Sequence, residues 1–250
     1  MKNSHLLLTL ITFVIVSSVS PASAQMDWLK GKVNAIKGTP GADSLKSMKL
    51  SDTKIGNGLK EALKVGINNS VNKVGQKDGY LNNDQIKLLL PEKIQKVDKA
   101  LRMAGFGKQL DEFVLSMNRA AEGAAPQARD IFLDSLFNMS FDDAQKIYKG
   151  ENTAATDYFK KSSYTKLYDA FKPAVDTSLK KYDVTSKYKV IIDKYQSLPL
   201  AKNFPAPSID DYVVNKSLDG LFLVLGEEEK KIRTDPAARV TKALQELFGK

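Results

Sequence analysis

Three short stretches of the chain place charged, amide and aromatic side chains at helical spacing, where they could hold a ligand. The first runs from Met117 to Glu122, the second begins at Asp157, and the third covers residues 227–239. Such side chains donate and accept hydrogen bonds and pair with opposite charges, so they can bind a ligand without a covalent step. From these stretches we predict six ligand-binding residues: Asn118, Arg119, Asp157, Tyr158, Arg233 and Arg239.

Each stretch also has a purely structural interpretation. Arg119 and Glu122 are three residues apart and can pair on the surface of a helix. Tyr164 and Tyr168, which follow Asp157, fit the half-buried packing that is usual for amphipathic rings. The acidic and basic run at residues 227–233 is typical of a solvated helix face with internal ion pairs.

Missing residue types exclude several kinds of catalytic site. The sequence has no cysteine, and its one histidine, His5, lies in the predicted leader. Without that leader the chain has no thiol nucleophile, no imidazole base and no thiolate or imidazole ligand for a metal. Gly105 and Gly107 lack the third glycine and the preceding strand of a dinucleotide-binding loop. We therefore predict no metal site and no cofactor.

Acidic side chains leave one enzymatic alternative open. Glycoside hydrolysis needs two carboxyl groups and no histidine. Most acidic candidates lie at predicted helix starts, where carboxylates also favour the helix dipole. These candidates are Asp142, Asp143, Asp157, Asp210, Asp211 and Glu227 to Glu229. A histidine-free hydrolase based on two carboxylates remains an alternative to a binding protein.

Two further patterns do not match the sites that they resemble. Residues 78–84 are acidic, but positions 3 and 12 of an EF-hand loop that began at Asp78 would be Tyr80 and Leu89. Ser-x-x-Lys pairs begin at Ser163 and at two later serines, in a lysine-rich chain without the other elements of penicillin-recognising enzymes. We interpret the first pattern as a turn and the second as chance.

The N-terminus has the pattern of a cleavable secretory signal peptide. Lys2 precedes a short apolar run from Leu6 to Val16, and small residues at positions 22–24 end in Ala24. A membrane-spanning helix needs about 20 apolar residues, which is more than this run supplies. We predict cleavage after Ala24, a flexible segment or linker over residues 25–50, and a folded domain over residues 51–250.

Apolar residues recur every three or four positions through most of the predicted domain, and no stretch alternates as a strand does. The pattern predicts an all-α protein, a single compact multi-helix bundle. Ser51 is expected to cap the first long helix, and Pro91 to open a helix that ends at Gly105. Ser140 and Ser208 are expected to cap two later helices, and Pro173 is expected to kink or split the long segment at residues 153–182.

Six segments, distributed over residues 50–249, resemble a known bacterial family. They are LKEALKVG (59–66), KDGYLN (77–82), FVLSMNRAAE (113–122), AATDYF (154–159), LDGLF (218–222) and EKKIRTDPAAR (229–239). In these segments the chain is similar to the domain of unknown function 4197 family. The resemblance implies an exported helical protein of the bacterial periplasm, and it implies no activity and no catalytic residues.

Charge and export together favour a binding role. The formal net charge of the whole chain is +9, which favours an anionic partner. We predict a non-enzymatic binding or scaffold module for an anionic or amphipathic partner, such as an anionic lipid, a cell-wall polymer or a periplasmic protein. A carrier of an apolar ligand such as a lipid in a core pocket is an alternative. Dispersed lysines and export argue against nucleic acid as the partner.

Overall fold

The computed structural model describes residues 42–197 and 208–249, which are mostly helical and contain no strand. The predicted all-α fold class is confirmed. The predicted signal peptide and most of the predicted linker lie outside the described residues. The α-helices are α1 (Ala42–Gly75), α2 (Glu92–Gln95), α3 (Asp98–Leu101), α4 (Gly107–Ala124), α5 (Ala128–Phe137), α6 (Phe141–Lys149), α7 (Ala154–Lys181), α8 (Val184–Gln196), α9 (Ile209–Thr234) and α10 (Lys242–Phe248).

The chain divides into two units between Ser51 and Asp52. Of the first unit, the structure describes only residues 42–51, which form the beginning of α1. The second unit is a compact bundle in which α7 is central, because it packs against α4, α5, α6, α8 and α9. No helix in the described ranges is both long and apolar enough to cross a membrane.

Aromatic rings from different helices pack against one another in the core of the bundle. Phe132 on α5 contacts the edges of Phe159 and Phe222, with ring centroids 5.6 Å apart in both pairs. Phe113 on α4 stacks on Tyr188 of α8 at 5.4 Å. Each of these pairs joins two helices that are far apart in sequence, so the rings fix how the helices pack.

Two predicted caps, Ser140 and Ser208, are confirmed. The Asp143 amide donates to Ser140 Oγ at 3.1 Å, and the Asp211 amide donates to Ser208 Oγ at 3.4 Å. The Ser140 hydroxyl in turn donates to the Asp143 carboxylate at 2.6 Å. These bonds satisfy amides at helix starts that have no partner within the helix.

Three predicted helix boundaries differ from the structure. Helix α1 begins at Ala42 and not at Ser51, because residues 42–50 are mostly strong helix formers. The helix expected from Pro91 to Gly105 is broken into α2, α3 and a turn that kinks at Gly105. Helix α7 continues through Pro173 without splitting. Pro173 is exposed, so water can solvate the carbonyl that loses its helical partner, while buried residues on either side hold the helix in place.

Candidate ligand groove

An extended segment crosses the surface of the bundle between the turn that follows α1 and the start of α2. It comprises residues 87–91, with the sequence KLLLP, and we call it the Leu89 segment. Leu88 and Leu90 are buried, whereas Leu89 between them is 53% exposed. Successive side chains of an extended chain point in opposite directions. The segment therefore anchors itself in the core and presents Leu89 to solvent.

Asn118 on α4 holds this segment by its backbone. The Asn118 side chain accepts a hydrogen bond from the Leu88 amide and donates one to the Leu88 carbonyl, both at 2.9 Å. It also donates to the Val114 carbonyl at 2.8 Å. Asn118 is fully buried, so these bonds replace water at a site that water does not reach.

Arg119 and Glu122, on the same helix, hold the turn that leads into the segment. One Glu122 carboxylate oxygen accepts from the amides of Tyr80 and Leu81, each at 3.2 Å. Arg119 donates to the other Glu122 oxygen and to the carboxylate of Asp78, both at 2.6 Å. The carboxylate of Glu122 is buried but fully engaged, which offsets the cost of removing it from water.

Two tyrosines tie the segment and the turn before it to α9. Tyr80 is fully buried, and its hydroxyl donates to the Ser217 carbonyl at 2.6 Å. Burial raises the pKa of Tyr80 far above its usual value, and the charge of Glu122 acts in the same direction. The hydroxyl of Tyr212 donates to the Leu89 carbonyl at 2.9 Å. The segment is thus attached to both α4 and α9.

Two grooves lie on either side of the Leu89 segment and share Lys87, Leu89 and Gln95 in their walls. The α9 groove, between the segment and α9, has a volume of about 580 Å³, and the α4 groove has a volume of about 530 Å³. Both volumes are in the range of small-molecule sites. The α9 groove is lined by Gln85, Ile86, Lys87, Leu89, Pro91, Glu92, Lys93, Gln95, Tyr212, Lys216, Asp219, Gly220 and Leu223.

The α9 groove combines apolar walls with ammonium groups. Leu89 and Leu223 line it and are 53% and 41% exposed. Lys87, Lys93 and Lys216 line the same groove. Glu92 and Asp219 are its acidic residues, and Lys216 Nζ lies 3.9 Å from the Asp219 carboxylate. Three lysines against two acids leave the groove with a net positive charge.

The α4 groove has its charges paired internally. The guanidinium of Arg102 donates to Asp98 at 3.0 Å and to Asp111 at 2.8 Å. The hydrogen bond from Arg102 holds the pKa of the Asp111 carboxyl below its usual range. Lys87 and Arg102 against Asp98 and Asp111 leave this groove without net charge, whereas the α9 groove has a net positive charge.

Arg233 and Arg239 lie in a second hydrogen-bonded cluster at the end of α9. The Glu229 carboxylate accepts from the amides of Ala155 and Thr156, which begin α7, at 2.9 and 2.8 Å. Arg233 pairs with Glu229 at 2.9 Å, and Arg239 donates to the carbonyl of Arg233, also at 2.9 Å. The cluster joins α9 to the start of α7.

A small apolar cavity adjoins this cluster, between α1, α7, α9 and Phe248 of α10. Its volume is about 20 Å³, which holds about one water molecule. The cavity is therefore too small for a lipid chain in this conformation, and the open grooves are the better candidates for a ligand site.

The remaining predicted residues lie at the start of α7. Asp157 is exposed, and its carboxylate accepts from Thr153 Oγ1 at 3.5 Å. Tyr158 is half-buried, and its ring meets the edge of Phe159 at 5.6 Å. Burial raises the pKa of Tyr158, and the charge of Asp143 adds to that effect. The six predicted residues thus occupy three places and do not form one cluster; ligand binding by them stays a prediction.

Asp143 and Asp211, two of the acids considered for hydrolysis, lie at helix starts. The Asp143 carboxylate accepts a hydrogen bond from the Ser140 hydroxyl, and the Asp211 amide donates to Ser208 Oγ. The hydrogen bond from Tyr168 lowers the pKa of Asp211, whereas burial raises the pKa of Asp210. The described residues contain no group of three or more acidic side chains that could hold a metal ion.

The residues of the α9 groove were not singled out by the sequence. The Leu89 segment lies between two predicted elements, and its apolar run is shorter than a helix. Tyr212, Lys216 and Leu223 fall on one side of α9 because they are four and seven residues apart. The run LLLP directly after a polar turn is the one signal that could have marked an anchored, partly exposed segment.

Comparison with known proteins agrees with the resemblance found in the sequence. The model of the family described as a protein of unknown function (DUF4197) matches residues 49–249. The chain therefore belongs to this family. No curated protein and no solved structure matches the chain.

Proposed function

We propose that this member of the family is a non-enzymatic periplasmic binding module that takes an anionic amphiphile, an acyl chain with an acidic head group, in the α9 groove. The observation that carries the proposal is the coexistence of exposed Leu89 and Leu223 with Lys87, Lys93 and Lys216 in one groove of about 580 Å³. Apolar walls favour the acyl chain through the hydrophobic effect, and the ammonium groups favour the acidic head.

Rigid attachment of the Leu89 segment supports the same proposal. Bonds from Asn118 and Tyr212 fix the backbone of Leu88 and Leu89 before any ligand arrives. A preformed wall lowers the entropy lost on binding, which raises affinity without new contacts. In this proposal Asn118 and Arg119 act as positioning residues, because they hold the groove wall and its preceding turn.

The first experiment is native mass spectrometry of the protein purified from the periplasm of its own host. We expect an adduct whose mass corresponds to an acidic lipid or a fatty acid. A bare chain at the calculated mass would count against a retained amphiphile. The same spectrum gives the N-terminus, and a chain that begins at Gln25 is expected for an exported protein.

Groove variants then locate the ligand. Titration with a fluorescent long-chain fatty acid is expected to show saturable binding, weakened about tenfold by the Leu89→Ser change and by the Lys216→Gln change. Val240→Ser and Lys146→Gln are matched controls, because these exposed residues lie outside the groove. Equal affinity of groove variants and controls would overturn the assignment of the site.

The hydrolase alternative makes a distinct prediction for the same groove. Glu92 and Asp219 are the carboxylates that line it. If the groove only binds its ligand, the unmodified protein and Glu92→Gln should both leave a lipid ester or a glycoside intact. Mass spectrometry of the incubated substrate measures any product. Product formation by the unmodified protein that Glu92→Gln abolishes would favour the enzyme instead.

A further inference from the structure

The turn between α3 and α4 carries an apolar residue out into solvent. It covers Arg102–Phe106, and the chain kinks at Gly105, whose φ of 90° ends the preceding helix. A Cβ atom added to Gly105 would meet nothing within 4 Å, so the turn projects away from the bundle. Met103 within it is 80% exposed, more than any other large apolar side chain in the described ranges.

The turn is held firmly although its tip is exposed. Leu101 before it and Leu110 after it are buried. Arg102 bridges Asp98 on α3 and Asp111 on α4. These contacts hold both ends of the turn, and Met103 lies between them on the outside.

Several exposed basic residues lie close to the tip in the sequence. Lys96, Lys99 and Lys108 are exposed and are seven, four and five residues from Met103, and Lys194 of α8 lies 5.7 Å from the Phe106 ring. Among nearby acids, Asp98 and Asp111 are both engaged by Arg102, and Glu112 lies 3.9 Å from Lys108. Five basic residues (Lys96, Lys99, Arg102, Lys108 and Lys194) against three acidic ones (Asp98, Asp111 and Glu112) leave this region with a net positive charge.

We propose that this tip docks the protein on an anionic phospholipid bilayer, with Met103 entering the interface and Lys96, Lys99 and Lys108 facing lipid head groups. The partner follows from charge complementarity, because anionic lipid surfaces attract clustered lysines, and from the exposed apolar apex, which gains by leaving water. The inference does not depend on a ligand in the α9 groove.

Binding to lipid vesicles tests the proposal directly. Sedimentation with vesicles of phosphatidylcholine and phosphatidylglycerol is expected to carry the mature protein, which begins at Gln25, into the pellet, and vesicles of phosphatidylcholine alone are expected to leave it in solution. Combined Lys96→Gln and Lys99→Gln changes should lower the partition coefficient about tenfold, as should raised salt. The combined Lys160→Gln and Lys161→Gln changes on α7 are the charge-matched control. Equal loss in control and tip variants, or equal binding to both vesicle types, would overturn the proposal.

A single-site label shows whether the tip itself enters the lipid. The chain has no cysteine, so Met103→Cys gives a unique position for an environment-sensitive fluorophore. Emission from the label at residue 103 should shift to the blue on anionic vesicles, whereas the same label in Val240→Cys, an exposed position after α9, should not shift. No shift at residue 103, or the same shift at both positions, would exclude insertion by the tip. Titration of the same variants with the fluorescent fatty acid measures binding in the α9 groove separately from docking of the tip on lipid.

Discussion

Asn118 and Leu88 exchange two hydrogen bonds: the Leu88 amide donates to Asn118 Oδ1, and Asn118 Nδ2 donates to the Leu88 carbonyl, both at 2.9 Å. This reciprocal pair attaches an extended segment to a helix that lies 30 residues away in sequence. An asparagine side chain has the same donor and acceptor as a backbone amide, so it can substitute for a neighbouring strand. One buried residue thereby fixes the wall between two grooves.

The Asn118→Leu change is expected to destabilise the fold by about 2–4 kcal/mol, because it leaves the Leu88 amide and carbonyl buried without partners. Urea denaturation followed by circular dichroism measures this loss. Asn82→Ala, at an exposed position of the preceding turn, should change the free energy of unfolding by no more than about 0.5 kcal/mol. If both variants unfold at the same urea concentration, the pair is not the anchor of the segment.

The helices and their caps could be predicted from the sequence because they depend on local signals. Ser140 and Ser208 cap the helices that follow them, and apolar spacing identifies the buried faces. The Leu89 segment could not be predicted in this way. Its extended backbone depends on Asn118 and Tyr212, which contact it across 30 and 123 residues.

The candidate site escaped prediction for a related reason. The predicted site residues lie in dense polar stretches, but Asn118, Arg119 and Arg233 form hydrogen bonds with other groups of the same chain. The groove is instead lined by ordinary surface residues such as Lys216 and Leu223. Their spacing on α9 can be read from the sequence, whereas the segment that faces them is placed there only by tertiary contacts.

Two glycines on α9 should respond oppositely to alanine. A Cβ atom at Gly220 would lie 2.8 Å from Tyr80 Cε1 and 3.0 Å from Ile86 Cβ, so Gly220→Ala forces these groups apart. We expect a loss of about 1–3 kcal/mol, as for other overpacked cores. At Gly226 the nearest atom would be 3.5 Å away, an ordinary contact. Gly226→Ala should be neutral or stabilise by up to about 1 kcal/mol through helix propensity.

Thermal melting of both glycine variants beside the unmodified protein distinguishes the two effects. Gly220→Ala should also weaken fatty-acid binding, because Tyr80, Ile86 and the groove wall must shift, whereas Gly226→Ala should leave binding unchanged. A melting temperature for Gly220→Ala at or above that of the unmodified protein would show that the α9–Tyr80 contact accommodates a methyl group.

The Glu229–Arg233 pair should be far more important than an exposed pair of the same spacing. Glu229 is 5% exposed and joins Arg233 to the first amides of α7. Glu229→Gln leaves the arginine charge without its partner and is expected to cost about 3–5 kcal/mol. Asp193→Asn breaks the exposed Lys189–Asp193 pair and should cost less than about 1 kcal/mol. Equal unfolding free energies of the two variants would contradict the structural role assigned to Glu229.

The Tyr168–Asp211 hydrogen bond should make stability depend on pH in the acidic range. The Tyr168 hydroxyl donates to the Asp211 carboxylate at 2.6 Å, and this bond lowers the pKa of Asp211 in the folded chain. A lowered carboxyl pKa stabilises the folded state above the unfolded pKa of about 3.9, and the contribution is lost as pH falls through the lower folded pKa. At neutral pH the contribution is present in full.

Tyr168→Phe removes this bond and keeps the ring, so it should lower the melting temperature at pH 7 and have a smaller effect at pH 3. The melting temperature of Tyr168→Phe should lie below that of the unmodified protein at pH 7, and this gap should narrow as pH falls below about 4. Tyr164→Phe, which removes a hydrogen bond to the uncharged Asn215, is the matched control and should give a gap independent of pH over this range. A Tyr168→Phe gap that stays constant from pH 7 to pH 3 would show that the hydroxyl does not favour the charged form of Asp211.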